Sequence, residues 1–196
     1  MNKKVIGLAI LIAAFCAGVA AAYNGLIWSA ESVNNAWAQV QNVYQRRLDL
    51  VPNLVETVKG YAEHEKSTFM AVTEARSNAS KIAQHITPEV LNDPANFKKF
   101  QEAQESMGAA LGRLLLIVER YPELKANENF LALQSQLEGT ENRIAVERRR
   151  FNDTVRVYNV KIKQFPTNIL AAVFNFKEKV YFEAQEGAGA APVVKF

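Results

Sequence analysis

The N-terminal segment limits every fold open to this chain. From Val5 to Trp28 the sequence is apolar and uncharged, interrupted only by small residues and Asn24. About 20 such residues cross a hydrocarbon core as a helix, because lipid offers no other partner for backbone N–H and C=O groups. A cleaved secretory signal is the competing reading. Lys3 and Lys4 would be its basic start, and Ala20-Ala21-Ala22 offers a small-residue cut before Tyr23. Signal cores span about 7–15 residues. This run is longer and ends in Tyr23 and Trp28, aromatic types that settle at the membrane interface. A retained anchor is therefore expected. Lipid attachment at Cys16 is not expected, because Phe15 stands where lipoprotein signals need a small residue.

Lys3 and Lys4 precede the span, and the first basic residues beyond it are Arg46 and Arg47, about 18 positions past Trp28. The positive-inside rule then keeps the N-terminus in the cytoplasm and puts the rest of the chain on the extracytoplasmic side as a single-pass protein. Within the span, Ala13, Ala17 and Ala21 share one face, with Ala14, Gly18 and Ala22 beside it. Small residues every four positions let two membrane helices approach closely, so this face is a candidate for self-association. The plainer reading is that alanine is a common membrane filler.

Beyond the anchor about 170 residues remain, the size of one domain. Net charge is +3 from 23 basic and 20 acidic residues, without the basic stripe of a nucleic-acid binder. His64 and His85 lack a second ligand at metal spacing. Glu63-His64-Glu65 is contiguous, so its side chains diverge around a helix, unlike the Glu-x-x-His of di-iron bundles. Ser29, Ser32, Ser67 and Ser77 lack a Gly-x-Ser-x-Gly elbow, and a phosphate-binding Gly-rich loop is missing. No metal, cofactor, nucleic acid or small-molecule substrate is expected, and an enzyme is not expected.

The remaining pattern is helical. Val33, Trp37, Val40, Tyr44, Arg47, Val51, Leu54, Val58, Tyr61, Glu65, Thr68, Val72, Ala75, Ala79 and Ile82 hold alternating spacings of four and three, the frame of helices packed at shallow angles. Pro52 falls inside it. Either the helix passes through with a kink, or it restarts with Asp49 as N-cap, giving pieces of about 20 and 33 residues. Thr87-Pro88-Glu89 and Asp93-Pro94 mark a connection. The next helix carries Phe97, Phe100, Gln104, Met107, Leu111, Leu114, Val118 and Tyr121. Asn127 caps a last long helix reaching about Gln164, with Phe130, Leu137, Ile144, Phe151, Tyr158 and Phe165 every seven residues, widened by Leu133, Val155 and Ile162. The expected class is all-α: a transmembrane helix, then an antiparallel up-and-down bundle, of four helices if the chain breaks at Pro52 and three long ones if it only kinks. The expected division is 1–28 anchor, 29–166 bundle and 167–196 aromatic tail.

Two polar groups stand out. Arg46, Arg47, Asp49, Asn53 and Glu56 surround Pro52, either as a ligand patch or, more plainly, as caps and solvated charges. Glu141, Arg148 and Asn152, with Thr140, lie beside the Phe130–Phe165 stripe, and Glu74 and Arg76 are candidates to face them. No pair of acids shares a cleft as acid–base chemistry requires, so Glu141, Arg148 and Asn152 are expected to form a structural network that sets helix register. The tail, with Ile169, Leu170, Val173, Phe174, Phe176, Tyr181 and Phe182 in 14 positions, can dock on the bundle, lie in the membrane interface or bind a partner.

Several stretches together resemble the LemA family of bacterial membrane proteins. They are Tyr23-Asn24-Gly25-Leu26-Ile27, the run Arg46 to Val55, Glu56-Thr57-Val58-Lys59-Gly60-Tyr61-Ala62 with His64-Glu65, and Glu74-Ala75-Arg76. They continue with Tyr121 to Ala126, Thr140-Glu141, Phe151-Asn152-Asp153-Thr154-Val155 with Tyr158-Asn159, Phe165-Pro166 and Tyr181-Phe182-Glu183. The resemblance implies an antiparallel four-helix bundle behind an N-terminal membrane helix, with no established activity or cofactor. One branch of the family accompanies magnetosome membranes. The family is often given the opposite orientation, with a short N-terminus outside the cell. The combined expectation is a membrane-anchored scaffold or assembly protein without catalysis. Its partners would be the lipid bilayer and either copies of itself, as a homo-oligomer, or other membrane proteins. An accessory subunit of a membrane protease or envelope-stress system, and a hydrolase, are the alternatives.

Overall fold

The computed structural model describes residues 3–84 and 86–183. The expected C-terminal stretch beyond Glu183 lies outside them. The described chain is all-helical, with four long helices and shorter connecting pieces: α1 (Lys3–Lys59), α2 (Lys66–Gln84), a 3-10 turn (Pro88–Asn92), α3 (Pro94–Val118), α4 (Pro122–Lys125), α5 (Glu128–Lys163) and α6 (Thr167–Val173). Helix α1 lies along α5, and α2 along α3. Paired residues set the directions. Trp37 meets Phe151 and Arg47 meets Glu141, so α1 and α5 are antiparallel. The 60–65 turn reverses α1 into α2, and Arg120 bonds Glu65 across its end at 2.8 Å. The result is an up-and-down bundle on the far end of a candidate membrane span.

The frame is borne out position by position along α1, where Val33, Trp37, Val40, Tyr44, Arg47, Val51, Leu54 and Val58 are all buried, but it fails just past the helix end: Tyr61 is exposed and Ala62 is buried instead. So are Phe97, Phe100, Gln104, Met107, Leu111, Leu114 and Val118 of α3. The α5 stripe is buried from Phe130 to Tyr158, but Phe165 is 81% exposed because the helix ends at Lys163. Of the expected caps, Asp93 and Asn127 form, whereas Thr87 precedes the 3-10 turn without a side-chain cap bond. Asp93 Oδ1 accepts from the N–H groups of Ala95 and Asn96 at 3.0 and 3.2 Å, and Asn127 Oδ1 accepts from Phe130 N–H at 3.0 Å.

Pro52 does not break the chain, and helix number does not hinge on it. Helix α1 runs through Pro52 for 57 residues, and the turn comes at Gly60, so four long helices arise without a restart at Asp49. A proline removes the N–H that would bond the carbonyl four residues back. That carbonyl belongs to Leu48, and Nε of Arg76 in α2 donates to it at 3.0 Å. Gly60 is the weakest helix former in the region, and Ala62 beyond it is buried, which pulls the turn inward. Arg76→Ala should lower stability by about 1–3 kcal/mol, the usual penalty for an unpaired buried acceptor. The loss should shrink in a Pro52→Ala background, where position 52 again donates to Leu48. Equal losses in both backgrounds, read from thermal unfolding by circular dichroism, would refute the compensation.

The core divides into two clusters. The distal one gathers Leu48, Val51, Leu54, Val58, Val72, Met107, Leu114, Leu124, Phe130 and Leu137. The proximal one gathers Leu26, Val33, Trp37, Val40, Phe97, Phe100, Phe151, Val155 and Tyr158, and also Ala171 and Phe182. Packing therefore begins at Leu26, within the segment expected as anchor, and includes residues of the expected tail. Residues of α1 before Ala22 are exposed to the surroundings apart from a half-buried Val19.

Candidate functional site

Between the two cores lies a polar layer built around Arg47. The α1 frame points this side chain inward, where only 4% of it is exposed. Its Nη1 donates to Glu141 Oε1 at 3.1 Å. Its Nη2 donates to the Gln104 backbone carbonyl at 3.0 Å and to Gln104 Oε1 at 2.5 Å. The guanidinium also stands over the Tyr44 ring, 5.1 Å from its centre. Gly108 of α3 passes close by; a Cβ built there would sit 3.9 Å from Arg47 Nη1. Burial raises the Tyr44 pKa, opposed by Arg148 and Arg47, so the phenol stays neutral in this layer. The other members of the cluster around Pro52, Arg46, Asp49, Asn53 and Glu56, are exposed. Glu74 is exposed too, and Arg76 serves Leu48 instead.

The expected network of Glu141, Arg148 and Asn152 is divided between two places. Glu141 joins Arg47. Arg148 and Asn152 instead hold the chain after α6, which returns along α5 as an extended strap. Asn152 grips Phe182 from both sides: its Nδ2 donates to the Phe182 carbonyl at 3.0 Å and its Oδ1 accepts the Phe182 N–H at 2.9 Å. Asn159 grips Lys179 in the same way, at 2.8 and 2.9 Å. Tyr158 Oη donates to the Lys177 carbonyl at 2.9 Å, and burial raises its pKa so that the donor is retained. Arg148 and Gln101 both donate to the Glu183 carbonyl, at 3.0 and 3.2 Å.

The spacing explains the fit. Asn152 and Asn159 are two turns apart on α5, about 10 Å at the helical rise, and residues 179 and 182 of an extended chain are also about 10 Å apart. Each amide satisfies one N–H and one C=O, so the clamp reads backbone rather than side chains. Specificity comes from Phe182, which is 6% exposed. Its ring lies 4.9 Å from Phe97, 5.5 Å from Phe151, 6.1 Å from Trp37 and 6.5 Å from Phe100. The Arg148 guanidinium closes the box from outside, 4.6 Å from the Phe182 ring. Beside the strap a groove of about 1020 Å³ carries charges of both signs, including Lys98, Glu102, Glu105 and Lys179.

Sequence reasoning named Asn152 and missed Asn159. The available signal was the repeat of an aromatic-asparagine pair seven residues apart, Phe151-Asn152 and Tyr158-Asn159. Asn159→Ala and Asn152→Ala each unpair a backbone N–H and C=O, and each should lower stability by about 1–3 kcal/mol. Amide exchange at residues 177–183 should quicken while α2 and α3 keep their protection. Unchanged exchange in the strap would contradict the clamp.

The six small residues of the span, Ala13, Ala14, Ala17, Gly18, Ala21 and Ala22, lie on the free part of α1, and a Cβ at Gly18 would meet nothing within 4 Å. Among the described residues, no three His, Cys, Asp or Glu side chains gather where a metal could be held.

Comparison with known proteins follows the same lines. The chain is 29% identical to a magnetosome protein MamQ of Magnetospirillum gryphiswaldense and 27% identical to magnetosome protein MamQ 2 of Paramagnetospirillum magneticum. Each match covers 93% of this chain and 72% of the relative. Protein LemA of Metamycoplasma hominis is 26% identical over 83% of this chain and 69% of its own length. The LemA family model matches residues 36–196, which take in α1 from Ala36 onward, the whole of α2, α3 and α5, the Arg47 layer and the strap. The chain belongs to the LemA family.

Proposed function

We propose that this protein is a membrane-anchored scaffold with no catalytic activity of its own, standing on the extracytoplasmic face of a bacterial inner membrane. The observation that carries this reading is the continuity of α1. One 57-residue helix supplies both the candidate span and one wall of both cores. At 1.5 Å per residue the part beyond Tyr23 extends about 54 Å, so the bundle is an upright post rather than a domain on a flexible tether. The Arg47 layer and the clamped strap fix its shape, which suits a surface that other proteins assemble against. Relatives that are magnetosome proteins accord with a role in assembly at a membrane. Its partners are the bilayer and either further copies of itself or other membrane proteins. No nucleic acid, cofactor or small-molecule substrate has a part in this reading.

Crosslinking from single sites on the exposed faces of α2, α3 and α5 in intact cells tests it. Capture of copies of the chain, or of the same membrane proteins from one face, is the expected result. Uniformly uncrosslinked monomer would overturn the scaffold. Orientation is tested separately with protease on spheroplasts, where a bundle protected by an intact inner membrane would reverse the assignment.

A further inference from the structure

We propose that α6 and its flanks form a second membrane contact, seating the base of the bundle on the bilayer that α1 crosses. The observation is a concentration of exposed apolar side chains at one end of the bundle. Phe165 is 81% exposed, Ile169 55%, Val173 70% and Phe174 51%. Ile169 and Val173 are one turn apart on α6, whereas Ala171 and Leu170 turn inward against the proximal core. On α1, Trp28 (75% exposed) and Ile27 lie at the same end. This is a short helix with one face packed on protein and the other left apolar and open, the arrangement expected of an element that lies in an interface.

Depth follows from register. Residues 3–22 of α1 span about 30 Å, the thickness of a hydrocarbon core. Lys3 and Lys4 mark one edge, and Tyr23 the other. Helix α6 is pinned to that second edge. The Phe174 ring lies 4.6 Å from the Tyr23 ring and the Phe176 ring 6.2 Å from it, while Lys161 Nζ donates to the Gly25 carbonyl. The open face of α6 therefore stands at the level where the bilayer begins. Sequence alone treated the aromatic tail as one unit; the structure divides it into a strap that docks, 176–183, and a base, 165–174, whose apolar face is open at membrane level. The occupant of that face is lipid, because it is continuous with the lipid-facing surface of α1.

This inference rests on α1 crossing the membrane, and the test separates the two. The full chain is reconstituted in lipid bilayers and spin-labelled at one cysteine at a time. The native Cys16 reports on the span. Ile169→Cys and Val173→Cys, each in a Cys16→Ser background, report on α6. Met70→Cys in the same Cys16→Ser background is the aqueous reference; Met70 is 72% exposed and lies at the far end of the bundle. Labels seated about 5–10 Å into the headgroup boundary should collide with a water-soluble nickel chelate at least about three-fold less often than the Met70 label, and collide readily with oxygen. If Cys16 is lipid-buried but the α6 labels match the Met70 label, the second contact is wrong and the span stands. If the α6 labels are shielded from both oxygen and nickel, protein covers the face instead of lipid, and the proposal fails. If Cys16 itself is aqueous, both readings fall.

Discussion

Phe182→Ala should lower the stability of the bundle by about 3–5 kcal/mol, the range for removing a large ring from a packed core. The side chain lies in extended chain beyond the last helix, yet it completes a box formed by Trp37, Phe97, Phe100 and Phe151 on three helices. Alanine would leave a cavity walled by rigid rings, which relax poorly. It would also strip the Arg148 guanidinium of the ring it covers. Phe151→Ala should cost a similar amount for the same reason, and the pair should be strongly non-additive because the rings touch. Thermal unfolding by circular dichroism in detergent measures both. A Phe182→Ala melt equal to wild type would mean the strap is not seated in the core.

Glu141→Ala should lower stability by about 2–4 kcal/mol. It leaves the Arg47 guanidinium buried between two apolar cores without the carboxylate that faces it. Breaking a buried ion pair from one side typically costs about 3–5 kcal/mol, and the 44% exposure of the Glu141 side chain reduces that through solvent screening. The second half of the prediction is a rescue. Arg47→Met added to Glu141→Ala should recover part of the loss, because an apolar side chain of similar length no longer needs a counter-charge. Recovery stays incomplete, since Gln104 Oε1 then loses its donor. A double variant no more stable than Glu141→Ala would show that Arg47 is held by something other than its charge pairing.

Both effects sit where sequence patterns were least informative. The seven-residue stripes were legible because burial of one helix face repeats locally, and every position from Val33 to Val58 in the α1 frame is buried as that repeat requires. The caps at Asp93 and Asn127 were legible because a side chain and the backbone it serves are only two or three residues apart. Gly60 was harder: it ends α1 while the apolar phase continues past it, so periodicity concealed the turn and Pro52 drew attention to the wrong place.

By itself, the sequence determined that the chain is helical, that its N-terminal segment is long and apolar enough to cross a membrane, and which face of each long helix turns inward. It also carried enough of the family pattern to place the chain in the LemA family. Only the tertiary structure decided the partners. Leu48 finds Arg76, which lets Pro52 stay in the helix. Glu141 finds Arg47, 94 residues away, rather than Arg148 on its own helix. Asn152 and Asn159 find the backbone of the strap. The physical reason is one of range. Periodicity states which side of a helix avoids water, but a polar group at the edge of that side is satisfied by whatever the packing brings within about 3 Å, and that neighbour is chosen by how the helices meet in space.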